Sequence, residues 1–134
     1  MKKGDAKSLY HLLSAGFGEV ERGAWRPNAD IYETDEHIVV SIEVAGVRPE
    51  DISVTEYADR IVVRGVRRPY APGGRKRYHQ IEIACGEFEK EIILGGPLAG
   101  AHVEAGLSLG ILSLRISKAR VGEKAEVRSI PVEA

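Results

Sequence analysis

Cysteine occurs once in the 134 residues, as Cys85. A single cysteine excludes an internal disulfide and fits a reducing compartment. No apolar run approaches the roughly 18–20 residues a bilayer span needs, so no membrane partner is expected. Neither sign of charge dominates. Lys and Arg total 19 and Asp and Glu total 20, for a net charge of -1. Such a balance gives nucleic acid or an anionic membrane no global field to follow. The histidines His11, His37, His79 and His102 are scattered, without zinc-type spacing. Gly73-Gly74-Arg75-Lys76 lacks the spacing of a phosphate loop. Gly86 turns the chain just after Cys85, and nothing in the pattern brings Cys85 to His79 as a thiol–imidazole pair. No catalytic group, metal or cofactor is therefore expected, and no nucleotide site. The lysines Lys2 and Lys3 are followed by no long apolar stretch or small-residue cleavage site. The expected location is the cytosol.

What is present suits one soluble domain with short arms. Hydrophobic residues make up 43% and charged residues 29%, enough of each for a real core and a wet surface. Residues 6–21 carry a helical pattern. Leu9, Leu12, Leu13, Phe17 and Val20 recur at steps of three and four, with Asp5 or Ser8 available as N-cap. Gly16 and Gly18 weaken its second half. The stretch is too short for a domain. It is expected to be an arm, residues 1–24, whose Leu9, Leu12, Leu13 and Phe17 bind unfolded chains or pack within an assembly.

From Trp25 the period changes to two. Ala29, Ile31 and Glu33 alternate with Asp30, Tyr32 and Thr34. Ile38, Val40, Ile42 and Val44 line one face. Gly46 to Asp51 reads as a turn, after which Ile52 and Val54 resume the apolar face. Asp59-Arg60 reads as a hairpin turn before Ile61, Val63 and Gly65. Phe88, Ile92 and Leu94 alternate with Glu87, Glu89 and Glu91. Val103, Ala105, Leu107 and Leu109 read as a one-sided strand. Gly110 breaks it before Leu112, Leu114 and Ile116. Seven or eight short strands with frequent turns predict an all-β, antiparallel sandwich or barrel over residues 25–117. Strict alternation gives each sheet one dry and one wet face.

Residues 67–77 read as an irregular loop, marked by Pro69, Pro72, Gly73 and Gly74. From Arg60 to Arg77 there are seven basic residues and no acid. Tyr78, Gln80 and Glu82 then alternate with His79, Ile81 and Ile83, which suggests a short strand. Thin aromatic interleaving argues against a nucleic-acid patch here.

Residues 118–129 are polar and lead to Ile130-Pro131-Val132. In an extended chain Ile130 and Val132 point the same way, and Pro131 stiffens the segment between them. Similar aliphatic pairs, such as Ile38/Val40 and Ile61/Val63, lie inside strands. Ile130/Val132 differs by standing behind a polar linker, as a peptide suited to docking on a sheet edge. The linker from Ala119 to Ser129 spans at most ~35–40 Å, enough to reach a neighbouring subunit.

The order of these features resembles the small heat-shock proteins with their α-crystallin domain. Trp25-Arg26-Pro27 and Ala29-Asp30-Ile31-Tyr32-Glu33-Thr34 resemble the domain entry. Val44-Ala45-Gly46-Val47-Arg48-Pro49-Glu50-Asp51-Ile52 resembles its turn. Gly86-Glu87-Phe88 with Leu94, Gly110-Ile111-Leu112 and Ile130-Pro131-Val132 resemble its later signatures. Gln80 and Cys85 depart from it, standing where arginine and tyrosine are frequent. The resemblance implies an immunoglobulin-like sandwich and ATP-independent holding of partly unfolded clients. It implies homodimers and larger homo-oligomers. The tip would anchor in a groove walled by Ile52, Val54, Val103 and Leu107. Tyr78, His79, Gln80, Ile81 and Glu82 would cross to a partner's first strand near Ile31, the loop arginines being solvated or facing the partner's Glu33, Asp35 and Glu36. The alternative is a co-chaperone-like sandwich that binds one folded partner; such modules usually lack the tip and the crossing loop.

Overall fold

The computed structural model describes residues 25–95, 101–120 and 127–134. The arm, with Leu9, Leu12, Leu13 and Phe17, lies outside the described residues. The period-two segments form strands β1 (Ala29–Glu33), β2 (His37–Glu43), β3 (Ile52–Glu56), β4 (Arg60–Arg67), β5 (Gly86–Ile93), β6 (Ala101–Ser108), β7 (Ile111–Arg120), β8 (Arg128–Ile130) and β9 (Val132–Glu133). They build two facing sheets, in the orders β1-β2-β7-β6-β9 and β5-β4-β3-β8. All pairings are antiparallel except β6 with β9. The helical content of the described residues is one 3-10 turn, Pro49–Asp51, opened by a proline whose fixed φ suits that position.

The register explains the core. In the first sheet the inward residues form rows across the strands: Ile42–Leu112–Leu107, Val40–Leu114–Ala105 and Ile38–Ile116–Val103. In the second the rows are Ile52–Gly65–Phe88, Val54–Val63–Lys90 and Glu56–Ile61–Ile92. Most of these aliphatic side chains are fully buried. Gly65 is required by its row. A Cβ there would lie 2.5 Å from the Phe88 ring and 2.9 Å from the Asp51 carbonyl oxygen. Phe88 in turn meets Trp25 edge-on, with ring centroids 5.2 Å apart. The Trp25 indole N–H donates to the Gly86 carbonyl at 2.8 Å, tying the domain entry to β5.

Three local expectations change. Leu109 does not continue the apolar face. It occupies a two-residue hairpin turn with Gly110, at φ +54° and +79° respectively, and its side chain is 100% exposed. Short hairpins favour turns with both central residues at positive φ, because these match the strand twist, and the turn geometry overrides the alternation. The last long strand runs to Arg120, beyond the boundary expected at 117, because its end pairs with Ala101 after an irregularity in β6. Residues 77–83 form no strand within the single chain. A strand needs a neighbour for its backbone groups, and among the described residues none pairs with this segment.

Candidate interaction site

The tail comes back onto its own domain and touches both sheets. β8 lies antiparallel to β3, with Ile130 opposite Val54, Ser129 opposite Thr55 and Arg128 opposite Glu56. One residue further on, β9 lies parallel to β6, with Val132 opposite Ala105 and Glu133 opposite Gly106. Pro131, which has no backbone N–H to contribute to a ladder, stands at the change of sheet. Ile130 is 6% exposed and joins the hydrophobic core, while Val132 is half-buried against it. Burying an aliphatic side chain of this size contributes about 1.5–3 kcal/mol, less the ordering of the tail. The tail is thus held by two short ladders, one buried aliphatic and one half-buried one.

Of the expected walls, Val54 is the direct partner of Ile130. Ile52 and Val103 are buried in the core, and Leu107 packs partly buried against it. Residues missed from sequence complete the surface. Ala105 and Gly106 carry β9, and a Cβ on Gly106 would have 3.8 Å to the Glu133 carbonyl oxygen. Glu56 is buried at 1% exposure and receives the Arg128 guanidinium, Nε at 3.1 Å and Nη2 at 2.5 Å. Glu56 was legible in principle, as an acid in phase with Ile52 and Val54. Arg128 was not, because its spacing acquires meaning only from the register.

A second apolar surface lies at the far edge. β1 is the outer strand of its sheet, and Ile31 and Tyr32 are exposed there. The loop between β4 and β5 exposes Tyr70, Tyr78, Ile81 and Ile83, and all of Tyr78, His79, Gln80, Ile81 and Glu82 face solvent. Arg67 fixes the loop's two roots. Its guanidinium donates twice to the Ala84 carbonyl, at 2.8 and 2.6 Å, and to the Ala45 carbonyl at 3.1 Å. It also stacks 3.8 Å from the centre of the Trp25 ring.

Several basic residues of the 60–77 stretch meet acids from neighbouring elements. Arg60 pairs with Glu91 and Asp59 and covers the Tyr57 ring. Arg64 pairs with Glu89, and Arg68 holds Asp51 through Nε and Nη2, both at 3.1 Å. The Arg68 hydrogen bond holds the Asp51 carboxyl below its ordinary range. Glu33 pairs with Lys118 of its own chain. Three of the seven basic residues, Arg60, Arg64 and Arg68, are thus paired with acids from neighbouring segments, which a reading along the chain could not show. Lys90 stands in an inward row between Phe88 and Ile92. Burial, and then the nearby Arg26, lower its pKa.

Among the described residues, no group of three or more His, Cys, Asp or Glu is placed to hold a metal ion. No helix among them is long and apolar enough to cross a membrane.

The family model of the Hsp20/alpha crystallin family matches residues 30–133. The chain belongs to this family, which comprises small heat-shock chaperones and not enzymes. It is 29% identical over 127 residues to a 16.9 kDa class I heat shock protein of Triticum aestivum, covering 94% of this chain and 83% of the relative. It is 30% identical to an 18 kDa heat shock protein of Streptomyces albus G, covering 82% and 78%. The structure resembles a small heat-shock protein from Xylella fastidiosa, described as having a distinct high order structure. That match has a TM-score of 0.62 at 25% identity, and covers 75% of this chain and 92% of the other.

Proposed function

We propose that the protein is an ATP-independent holdase that captures partly unfolded proteins before they aggregate. The observation that carries this reading is the tail, a short strand that covers the edges of both sheets at one end of the core. Unpaired strand edges and exposed apolar surface are sticky unless capped. A tail that leaves uncovers both together. The groove can take the same tail from its own chain or from a neighbour, because exchange of an identical element preserves every contact. Many weak tails hold an assembly by avidity, and heat shifts it towards smaller, more exposed species. The exposed loop with Tyr78, Ile81 and Ile83 supplies a strand to the open β1 edge of a second copy, and so forms the dimer. The reading carries a cytosolic location, for which the lone cysteine speaks.

Two measurements test it. An aggregation-prone client heated with this protein and no nucleotide should stay clear, and undiminished turbidity at every molar ratio overturns the holdase reading. Ile130→Ala with Val132→Ala should lower the assembly mass in light scattering. A mass as large as before would refute tail anchoring.

A further inference from the structure

Glu56 interrupts an otherwise apolar part of the groove. It follows Ile52 and Val54 on the inward face of β3, and its row continues through Ile61 and Ile92. A third aliphatic would complete that face and bind an aliphatic tail without regard to its charge. Instead the position holds a carboxylate at 1% exposure, facing a guanidinium supplied by the tail itself. The register sets the match. Glu56 and Val54 are two residues apart on β3, and Arg128 and Ile130 are two apart on β8, so cation and aliphatic knob reach their partners in one step. Ser129 between them faces away and is exposed.

We infer that Glu56 is a specificity-determining residue of the groove. It admits tails that carry a cation two residues before the first aliphatic knob, and rejects those with an acid there. The recognised segment is thus Arg128–Val132, and its occupant is the tail of this chain, its own or a second copy's. The inference rests on the tail-anchoring reading above. Its physical basis is the cost of a covered charge. With Arg128 in place the carboxylate has a two-pronged donor. A glutamate at that position would bring two carboxylates together under β8, and a glutamine would withdraw the charge of this guanidinium. Discrimination built on an unfavourable wrong pair is stronger than discrimination between aliphatic side chains of similar size.

The test uses the full-length chain with Arg128→Ala, Ile130→Ala and Val132→Ala, which disables the resident tail and leaves Glu56 untouched. Labelled peptides of residues 127–134 are titrated in and followed by fluorescence anisotropy: the native sequence, its Arg128→Glu form, and a control with Ile130→Ala and Val132→Ala. The native peptide is expected to bind about tenfold or more tighter than the Arg128→Glu peptide, the scale expected when a buried carboxylate loses a charged hydrogen-bond donor. The preference should weaken in 0.5 M salt but not vanish, since the Glu56 carboxylate is buried while the Arg128 side chain is 40% exposed. Adding Glu56→Gln to the chain should flatten the preference, whereas a merely structural role would weaken both peptides alike. Affinities within about twofold on the Glu56 chain overturn the inference, and this comparison needs no change at Glu56. If native and Arg128→Glu peptides bind equally and the alanine control does not, anchoring stands and the selectivity falls. If no peptide binds, both fall.

Discussion

Replacing Ile130 by alanine should loosen the tail while leaving the sandwich folded. Ile130 is 6% exposed, with Val54 opposite it across the ladder. Truncating a buried aliphatic costs about 2–5 kcal/mol where the surroundings cannot collapse. Here the side chain lies on a terminal edge strand, so the low end applies, about 2 kcal/mol. That corresponds to roughly a 30-fold larger population with the tail undocked. Hydrogen exchange reads this directly when exchange follows the opening equilibrium. Amides in the β3–β8 ladder should exchange ~30-fold faster, and those in the β2–β7 ladder less than about twofold faster. Leu114→Ala is the counterpart, since Leu114 is fully buried at the centre of a three-strand row. It should lower global stability by about 2–5 kcal/mol and accelerate all ladders together. The reasoning is refuted if Ile130→Ala leaves β3–β8 exchange unchanged, or if it speeds the β2–β7 amides in parallel.

Other substitutions probe the frame that holds the groove. Lys90 is harder to charge in the fold than in the unfolded chain, because of burial and then Arg26. The unfolded chain therefore binds that proton more readily, and the resulting penalty is present at neutral pH and relieved as pH rises through the depressed pKa. Lys90→Met should raise the urea midpoint at pH 7, by an amount that shrinks as pH approaches the ordinary lysine value of about 10. Gly65→Ala should cost about 1–3 kcal/mol in urea unfolding, because its methyl meets the Phe88 ring and the Asp51 carbonyl, and Phe88→Leu should recover part of the loss. Leu109→Asn should relieve about 1 kcal/mol of left-handed strain and raise the thermal midpoint by about 3–6 °C, with assembly mass unchanged.

The core strands were legible because each has one dry face. Val40 and Ile42, Ile61 and Val63, or Leu112, Leu114 and Ile116 reveal both the strand and its inward side. Leu109 misled because an apolar residue in phase says nothing of its φ, which the two-residue turn dictates. His79, Ile81 and Ile83 alternate as a strand does, but alternation does not supply a ladder partner, and the described residues of the chain offer none. Part of the seven-fold basic run looked unbalanced because the acids that pair with Arg60, Arg64 and Arg68, namely Glu91, Glu89 and Asp51, lie outside it in sequence. The tail stood out by its position behind a polar linker. Its charge partner emerged only with the pairing of Glu56 and Arg128.

The single-residue hop at Pro131 has a kinetic and thermodynamic consequence. Ile130 is committed to β3 and Val132 to β6, so the peptide cannot slide along either strand alone. A shift by one residue would put Pro131 into a ladder position it cannot serve, and would turn both knobs to the opposite face. A shift by two would leave one knob site empty. The tail therefore has one seated position and no partial ones. On the tail-anchoring reading, occupancy of the groove is all-or-none, and a graded change in the assembly would come from the number of seated tails.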